Sequence, residues 1–185
     1  SLELGGKNAS VIFDDCDLEY TVKGVVRSGF LNQGQVCLCG SRILVQEKIY
    51  DEFVKKFVSE VQNMKIGDPS DENTKLGALI SPEHLSKVEE YIKIANDEGG
   101  TVLTGGYPNL PEEFKNGNWI SPTVIANLDV NSRCSTEEIF GPVVTIHKFS
   151  NENEAIEIAN NTRYGLAGSI WTNDLEKANR VAESI

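Results

Sequence analysis

The chain has 185 residues, of which 39% are hydrophobic and 24% charged, with a formal net charge of -11. That length can bury a sizeable core, and the composition is that of a water-soluble globular protein, so one domain over residues 1–185 is expected. The acidity argues against nucleic acid, which needs a basic face for its phosphates, and against a polybasic membrane contact. Four cysteines, Cys16, Cys37, Cys39 and Cys134, form no disulfide framework, and Cys37-x-Cys39 alone is a weak metal signal. Reduced thiols with no signal peptide and no membrane-length apolar run point to a cytoplasmic protein.

Strands and helices alternate along the chain. Ser10-Val11-Ile12-Phe13 reads as a strand. Asp14 to Asp17 supply turn and N-cap chemistry for a helix with Val22, Val25, Val26, Gly29 and Phe30 on one side. Arg42 to Gln46 is a second strand. Ile49, Phe53, Phe57 and Val61 recur every four residues in an amphipathic helix, which Gly67-Asp68-Pro69-Ser70-Asp71 breaks. Ser81-Pro82 opens a third helix with Leu85, Val88, Ile92 and Ala95 as its stripe, ended by Gly99-Gly100. Thr101 to Leu103 is a strand, and 105–118 a Gly-, Pro- and Asn-rich loop. Val143 to Ile146 and Ser169 to Trp171 are further strands, with a short helix over Glu154 to Asn160 between them. Asn173-Asp174-Leu175-Glu176 has the form of a capping box led by Asn173, opening a last helix with Leu175, Ala178, Val181 and Ile185 on one face.

This alternation predicts an α/β fold: a largely parallel twisted sheet with helices on both faces. Sites in such sheets gather outside the carboxyl ends of the strands, and the connection carrying Cys37 is expected there. The chain opens on Ser1, contains Met64 as its single methionine, and ends in a helical stripe without a terminator. It is therefore expected to be a piece of a longer protein.

Three runs could carry chemistry. Cys37 follows Asn32-Gln33-Gly34-Gln35-Val36. A thiolate is a strong nucleophile, and Gly34 permits close backbone approach, although the commonest fate of a free cysteine is the core. A protease-like cysteine needs a histidine base. His84 and His147 are the two available, and both read better as surface or satisfied residues. Glu3 lies between two leucines ahead of Gly5-Gly6. A carboxylate in a partly apolar loop has its pKa raised toward the range of a general base, whereas a solvated one is inert. Glu138, between Glu137 and Ile139, has the same two readings. Cys39 either packs or pairs with Cys37 under oxidant.

Taken together, Glu-Leu-Gly-Gly-Lys at 3–7, Gly-Gln-Val-Cys at 34–37, Glu-Glu-Ile-Phe-Gly-Pro at 137–142 and Asn-Asn-Thr-Arg-Tyr-Gly-Leu-Ala at 160–167 resemble the aldehyde dehydrogenase superfamily, in the family's order and over essentially the whole chain. The resemblance implies the family's catalytic domain. It also implies oxidation of an aldehyde to a carboxylic acid with NAD, or NADP, as cofactor. Cys37 would be the nucleophile, its own N–H holding the oxyanion together with an asparagine that the family carries upstream. Glu3 would activate the water that hydrolyses the thioester. Glu138 would hold the nicotinamide ribose, Phe140 would pack beside the ring, Leu4 would touch the carboxamide, and Lys87 would reach the same ribose.

The dinucleotide-binding and oligomerisation segments of the family are not in this sequence. The chain alone is thus expected neither to bind NAD tightly nor to turn over, and the whole protein is expected to be a homo-oligomer. Gly-Gln-Val-Cys-Leu-Cys-Gly-Ser-Arg and Gly-Ala-Leu-Ile-Ser look most like 2-aminomuconic and 2-hydroxymuconic semialdehyde dehydrogenases, with betaine and aliphatic aldehyde dehydrogenases as competitors. Glu3 sets the chain apart from members that acylate coenzyme A. A non-catalytic structural or binding member of the family is the third reading.

Overall fold

The computed structural model describes residues 1–114 and 116–185. Lys115, within the loop expected over 105–118, lies outside the described residues. Six strands form one sheet: β1 (Ala9–Ile12), β2 (Arg42–Gln46), β3 (Thr101–Gly106), β4 (Ser121–Ala126), β5 (Val143–Phe149) and β6 (Gly168–Trp171), in the order β3-β4-β5-β2-β1-β6. Every pairing is parallel except β3 with β4 at one edge, so the expected largely parallel α/β sheet is observed.

The helices are α1 (Leu18–Phe30), α2 (Tyr50–Gln62), α3 (Pro82–Asp97), α4 (Arg133–Thr136), α5 (Glu152–Asn160) and α6 (Leu175–Ala182). Helices α1 and α2 cover one face. Val22, Val25, Phe30, Phe53, Phe57 and Val61 pack there on Ile12, Ile43, Val45, Val144 and Ile146. The residues of alternate parity point to the other face, as strand pleating requires. Val11, Leu44 and Phe149 meet α5 and α6, while Ile125 and Val143 meet α3 and α4. Burying Phe53 or Phe57 contributes roughly 2–3 kcal/mol apiece, so the four-residue spacing of α2 is what seats it on the sheet.

The caps follow the sequence where short polar side chains lead a helix. Asp17 accepts from the Tyr20 N–H, and Ser81, followed by Pro82, accepts from the His84 N–H. Asn151 accepts from the Glu154 N–H, so α5 begins at Glu152, ahead of the expected Glu154. At α6 the cap is Asp174, which accepts from the Lys177 N–H; Asn173 instead donates to the Asp15 carbonyl. The α6 stripe is also narrower than expected. Val181 is buried, but Leu175 stays 74% exposed.

Two elements lie outside the sequence reading, strand β4 and the single-turn α4. Pro122 argues against a central strand. It is tolerated near the start of β4, where Thr123 is the first residue in register with β5.

The site lies at the edge of the sheet opposite to the one expected. In a parallel sheet, strand-to-helix connections leave the carboxyl ends and helix-to-strand connections arrive at the amino ends. Cys37 follows α1 and precedes β2. The runs carrying Glu3 and Glu138 likewise lead into β1 and β5. All three therefore meet at the amino edge of the sheet, not at the carboxyl ends.

Candidate active site

Strands β1, β2 and β5 are near neighbours in the sheet, so the loops entering them converge. Glu3, Leu4, Gly5, Gln35, Val36, Cys37, Glu138 and Phe140 line one open cleft of about 430 Å³. Residues 135 positions apart in the sequence thus share a surface that no local pattern predicts.

The loops approach one another closely, and glycine makes this contact possible. A Cβ on Gly5 would stand 2.5 Å from Glu138 Oε2, and one on Gly6 would stand 2.8 Å from the Cys37 carbonyl oxygen. Gly34, at φ +69°, faces the Gly141 carbonyl so closely that a Cβ would overlap it. One glycine from each of the first two motifs, and a second from the first, are therefore contact points between loops. The Gly6 N–H donates to Glu138 Oε1 at 2.9 Å, which joins the first run to the third.

The nucleophile run is built from unusual backbone. After α1 the chain passes through three successive left-handed residues, Asn32 (φ 49°), Gln33 (φ 57°) and Gly34 (φ 69°). Such residues persist only where neighbours hold them. Gln33 donates from Nε2 to the Ala78 carbonyl at 3.2 Å, and the Gln35 side-chain oxygen accepts from the Ile80 N–H at 3.1 Å. The Gly-Ala-Leu-Ile run at 77–80 thus braces the turn. Cys37 sits in a tight turn closed by the Cys39 N–H donating to the Val36 carbonyl at 3.0 Å. Its thiol is half-buried rather than in the core, and its own N–H has no hydrogen-bond partner among the described residues. Cys39 is also half-buried. Its thiol donates to the Leu31 carbonyl at 3.7 Å, and burial pushes its pKa up, which fits a packing role.

Glu3 is exposed, and so is Leu4 beside it. The partial burial expected for Glu3 is absent, because its flanking leucines turn outward: Leu2 is 82% and Leu4 59% exposed. Phe140 is held at φ 61°, a strained value for an aromatic residue, with its ring partly in solvent. Helix α3 fixes that loop from below through residues on adjoining turns. His84 Nε2 meets the Phe140 carbonyl at 2.6 Å, Lys87 Nζ donates to the Glu138 carbonyl at 3.3 Å, and the Tyr91 hydroxyl donates to Glu137 Oε2 at 2.7 Å. Lys87 therefore touches the loop and is not among the residues lining the cleft. His84 is satisfied in the same way.

Beneath the cleft, on the α5 face, lies a buried basic group. Lys7 is fully buried, its amine has no hydrogen-bond partner among the described residues, and desolvation pushes its pKa down to about 7. Its electrostatic neighbours are Cys134, Arg42, Glu138 and Glu137. Arg42 spends its donors on carbonyls, reaching Lys7 at 2.8 Å, Ile158 at 2.8 Å and Ala159 at 2.7 Å. His147 is buried, as a satisfied histidine, against Ser135 Oγ and Thr145 Oγ1, each at 3.1 Å. Desolvation, then Arg42 and Lys7, hold its pKa down to about 4. A second cavity of about 270 Å³ opens beside Lys7, Arg42, Asn160 and Tyr164, and includes neither Cys37 nor Glu3. Among the described residues no cluster of His, Cys, Asp and Glu could hold a metal, and no helix is long and apolar enough to cross a membrane.

Sequence reasoning missed Asn8. Its Nδ2 donates to the Cys37 carbonyl at 2.7 Å and to the Cys39 carbonyl at 3.1 Å, and its Oδ1 accepts from the Ala167 N–H at 3.0 Å. No signal in the sequence marked it, since an asparagine after Gly-Gly-Lys reads as an ordinary turn residue.

Known proteins are similar to this chain in sequence and in fold. The chain is 47% identical to 2-aminomuconic 6-semialdehyde dehydrogenase of Pseudomonas sp over 184 residues, covering 99% of the chain and 38% of that protein. It is 46% identical to 2-aminomuconic semialdehyde dehydrogenase of Homo sapiens, covering all of the chain and 39% of that protein. A crystal structure of betaine aldehyde dehydrogenase from Staphylococcus aureus in complex with NAD+ superposes with a TM-score of 0.96 at 45% identity, over 100% of the chain and 36% of that protein. The chain thus spans well under half the length of these relatives. The profile of the aldehyde dehydrogenase family matches residues 1–185, and with the whole sheet and all three converging loops inside that match, the chain belongs to the aldehyde dehydrogenase family.

Proposed function

We propose that the protein bearing this chain oxidises an aldehyde to a carboxylic acid with NAD or NADP as the acceptor, and that residues 1–185 are its catalytic domain. One observation carries the reading: Glu3, Cys37, Glu138 and Phe140, from three distant runs, line a single cleft. Its residues fit the nicotinamide end of such a cofactor. Glu138 uses Oε1 on Gly6 and leaves Oε2 for a ribose hydroxyl, Phe140 offers an exposed ring to stack on, and Leu4 presents backbone on the same cleft. Lys87 would act on the ribose through the Glu138 loop it holds.

The Cys37 thiolate adds to the aldehyde carbon, and the charge moves to the oxygen. The unpartnered Cys37 N–H donates to that oxyanion, an interaction that strengthens as the charge develops. When bound, NAD(P) supplies the acceptor for the hydride that leaves the thiohemiacetal carbon, and Cys37 is left as a thioester. Glu3 takes a proton from water, the water oxygen attacks the thioester carbon, and the C–S bond breaks to release the acid and restore the thiolate. The exposure of Glu3 gives that proton a route to solvent.

The relatives named 2-aminomuconic semialdehyde dehydrogenase favour a muconic-type semialdehyde as substrate. The presence of Glu3 in the cleft favours hydrolysis over transfer to coenzyme A, and Cys37 beside it favours an enzyme over a structural relative. The 185 residues by themselves are proposed to bind NAD weakly and not to turn over, since they cover 38% of the length of the Pseudomonas relative. The whole protein is read as a cytoplasmic homo-oligomer on family resemblance.

The test is a pair of variants in the full-length enzyme, assayed with NAD and 2-hydroxymuconic semialdehyde. Cys37→Ser abolishes NADH formation. Glu3→Gln leaves a burst of NADH equal to the number of sites and slows the steady state by roughly a hundredfold, the usual scale of a lost general base. Normal turnover with serine at position 37 rejects the mechanism. A rate that requires coenzyme A and ignores Glu3→Gln supports the acyl-transferring alternative.

A further inference from the structure

We infer that Asn8 is a positioning residue for Cys37, its side-chain amide setting the orientation of the turn that carries the thiol and the oxyanion N–H. The inference rests on the reading of Cys37 as nucleophile. It adds a residue outside the cleft that Glu3, Cys37, Glu138 and Phe140 line.

The geometry is specific to an amide. Asn8 is 5% exposed and reaches across from the entry of β1 to the turn ahead of β2. Both of its amide hydrogens are used, one on the Cys37 carbonyl at 2.7 Å and one on the Cys39 carbonyl at 3.1 Å. Its oxygen is used on the Ala167 N–H at 3.0 Å, at the end of the Asn-Asn-Thr-Arg-Tyr-Gly-Leu-Ala run. One side chain, on the residue that follows the first family-like run, thus ties the second run to the fourth. Serine carries one donor, and aspartate carries acceptors that would face two carbonyl oxygens. Gly6 completes the cradle. A Cβ there would meet the Cys37 carbonyl at 2.8 Å and Asn8 Oδ1 at 2.9 Å, so its bare backbone leaves space for both groups.

The bonds also decide which groups of the turn remain available. The Val36 carbonyl accepts from the Cys39 N–H, and the carbonyls of Cys37 and Cys39 accept from Asn8. The Cys37 N–H is left without a partner among the described residues. Pinning the Cys37 carbonyl on the Asn8 side holds the peptide planes around Cys37 in one orientation, and with them the direction in which the thiol and its N–H point. A Cys37 carbonyl released from Asn8 loses the one donor it has among the described residues, whereas the Cys39 carbonyl keeps the Ser41 N–H at 3.0 Å.

The test measures alkylation of Cys37, Cys39 and Cys134 by iodoacetamide with peptide mapping, in the full-length enzyme and in its Asn8→Ser, Asn8→Ala and Asn8→Asp variants. Protection of the buried Cys134 and the melting temperature report whether each variant is folded. Positioning by donation predicts that Cys37 and Cys39 lose their native rates in the order Ser, Ala, Asp. The expected change is about tenfold for Ala, the scale of a lost buried hydrogen bond. A packing role predicts the reverse order, because aspartate matches asparagine in shape. In the full-length enzyme, Asn8→Ser lowers kcat while the KM for NAD stays within twofold. Cys37 and Cys39 rates unchanged in both Ser and Ala, or aspartate as the mildest of folded variants, overturn the inference. Alkylation needs no turnover, so a failure here is separate from retained activity in Cys37→Ser, which would reject the nucleophile itself.

Discussion

The Gly6 N–H donates to the Glu138 carboxylate at 2.9 Å, across 132 positions of sequence. This bond makes the loop of the proposed base and the loop of the proposed ribose ligand a single body. Either oxygen of Glu138 could accept from Gly6, but only a carboxylate adds negative charge toward a hydroxyl donor. Glu138→Gln is therefore expected to keep the loops together while weakening cofactor binding. Steady-state kinetics of the full-length enzyme should show the KM for NAD raised by roughly tenfold, the worth of one charge-assisted hydrogen bond over a neutral one. The alkylation rate of Cys37 should not change. A KM within twofold of native removes Glu138 from the cofactor site.

Loop-to-loop contact through glycine leads to a prediction about stability. Gly34 combines φ +69° with direct contact to the Gly141 carbonyl, whereas a Cβ on Gly165 would meet nothing within 4 Å. Gly34→Ala then meets both backbone strain and overlap with a neighbouring backbone, and should cost about 2 kcal/mol or more in urea denaturation. Gly165→Ala should fall within about 0.5 kcal/mol of native. Equal midpoints for the two would mean that the contact between the second and third runs carries no stability.

Three buried groups set the pH dependence. His147 has its folded pKa lowered to about 4 from 6.5 by desolvation. The unfolded chain therefore takes up a proton between those values that the fold refuses, and stability falls as pH drops from 6.5 to 4. Lys7, lowered by burial to about 7 from 10.5, behaves alike at higher pH: stability rises as pH climbs above 7, where the folded amine is already neutral. Cys134, raised to about 11 from 9.0 by burial, opposes this above pH 9, so the rise is cleanest between 7 and 9. Urea midpoints across pH should show both slopes, each worth about 2–3 kcal/mol. His147→Gln should flatten the lower slope and Lys7→Met the upper one, with Lys7→Met more stable than native at pH 6. A midpoint independent of pH from 7 to 9 would mean that Lys7 finds a partner for its charge.

Much of the fold was legible because its physics is local. The four-residue spacing of Phe53, Phe57 and Val61 is a property of one helix, and Ser81-Pro82 carries its own start signal. Strand β4 was not legible, because Pro122 argues against a strand until β5 is there to pair with Thr123. The cap of α6 went to Asp174 because Asn173 is drawn to the Asp15 carbonyl, a partner 158 residues away.

The sequence by itself determined the chemistry on offer: a thiol at Cys37, carboxylates at Glu3 and Glu138, and glycines beside each, since side-chain identity needs no neighbour to be read. Tertiary structure alone decided how these groups meet. Parallel order in the sheet brings three arriving loops to the amino edge of β1, β2 and β5, and only that convergence makes Gly5, Gly6 and Gly34 contact points and Asn8 a clamp. It also leaves Glu3 in solvent and buries Lys7, because burial depends on which elements pack above a residue and not on the residues beside it.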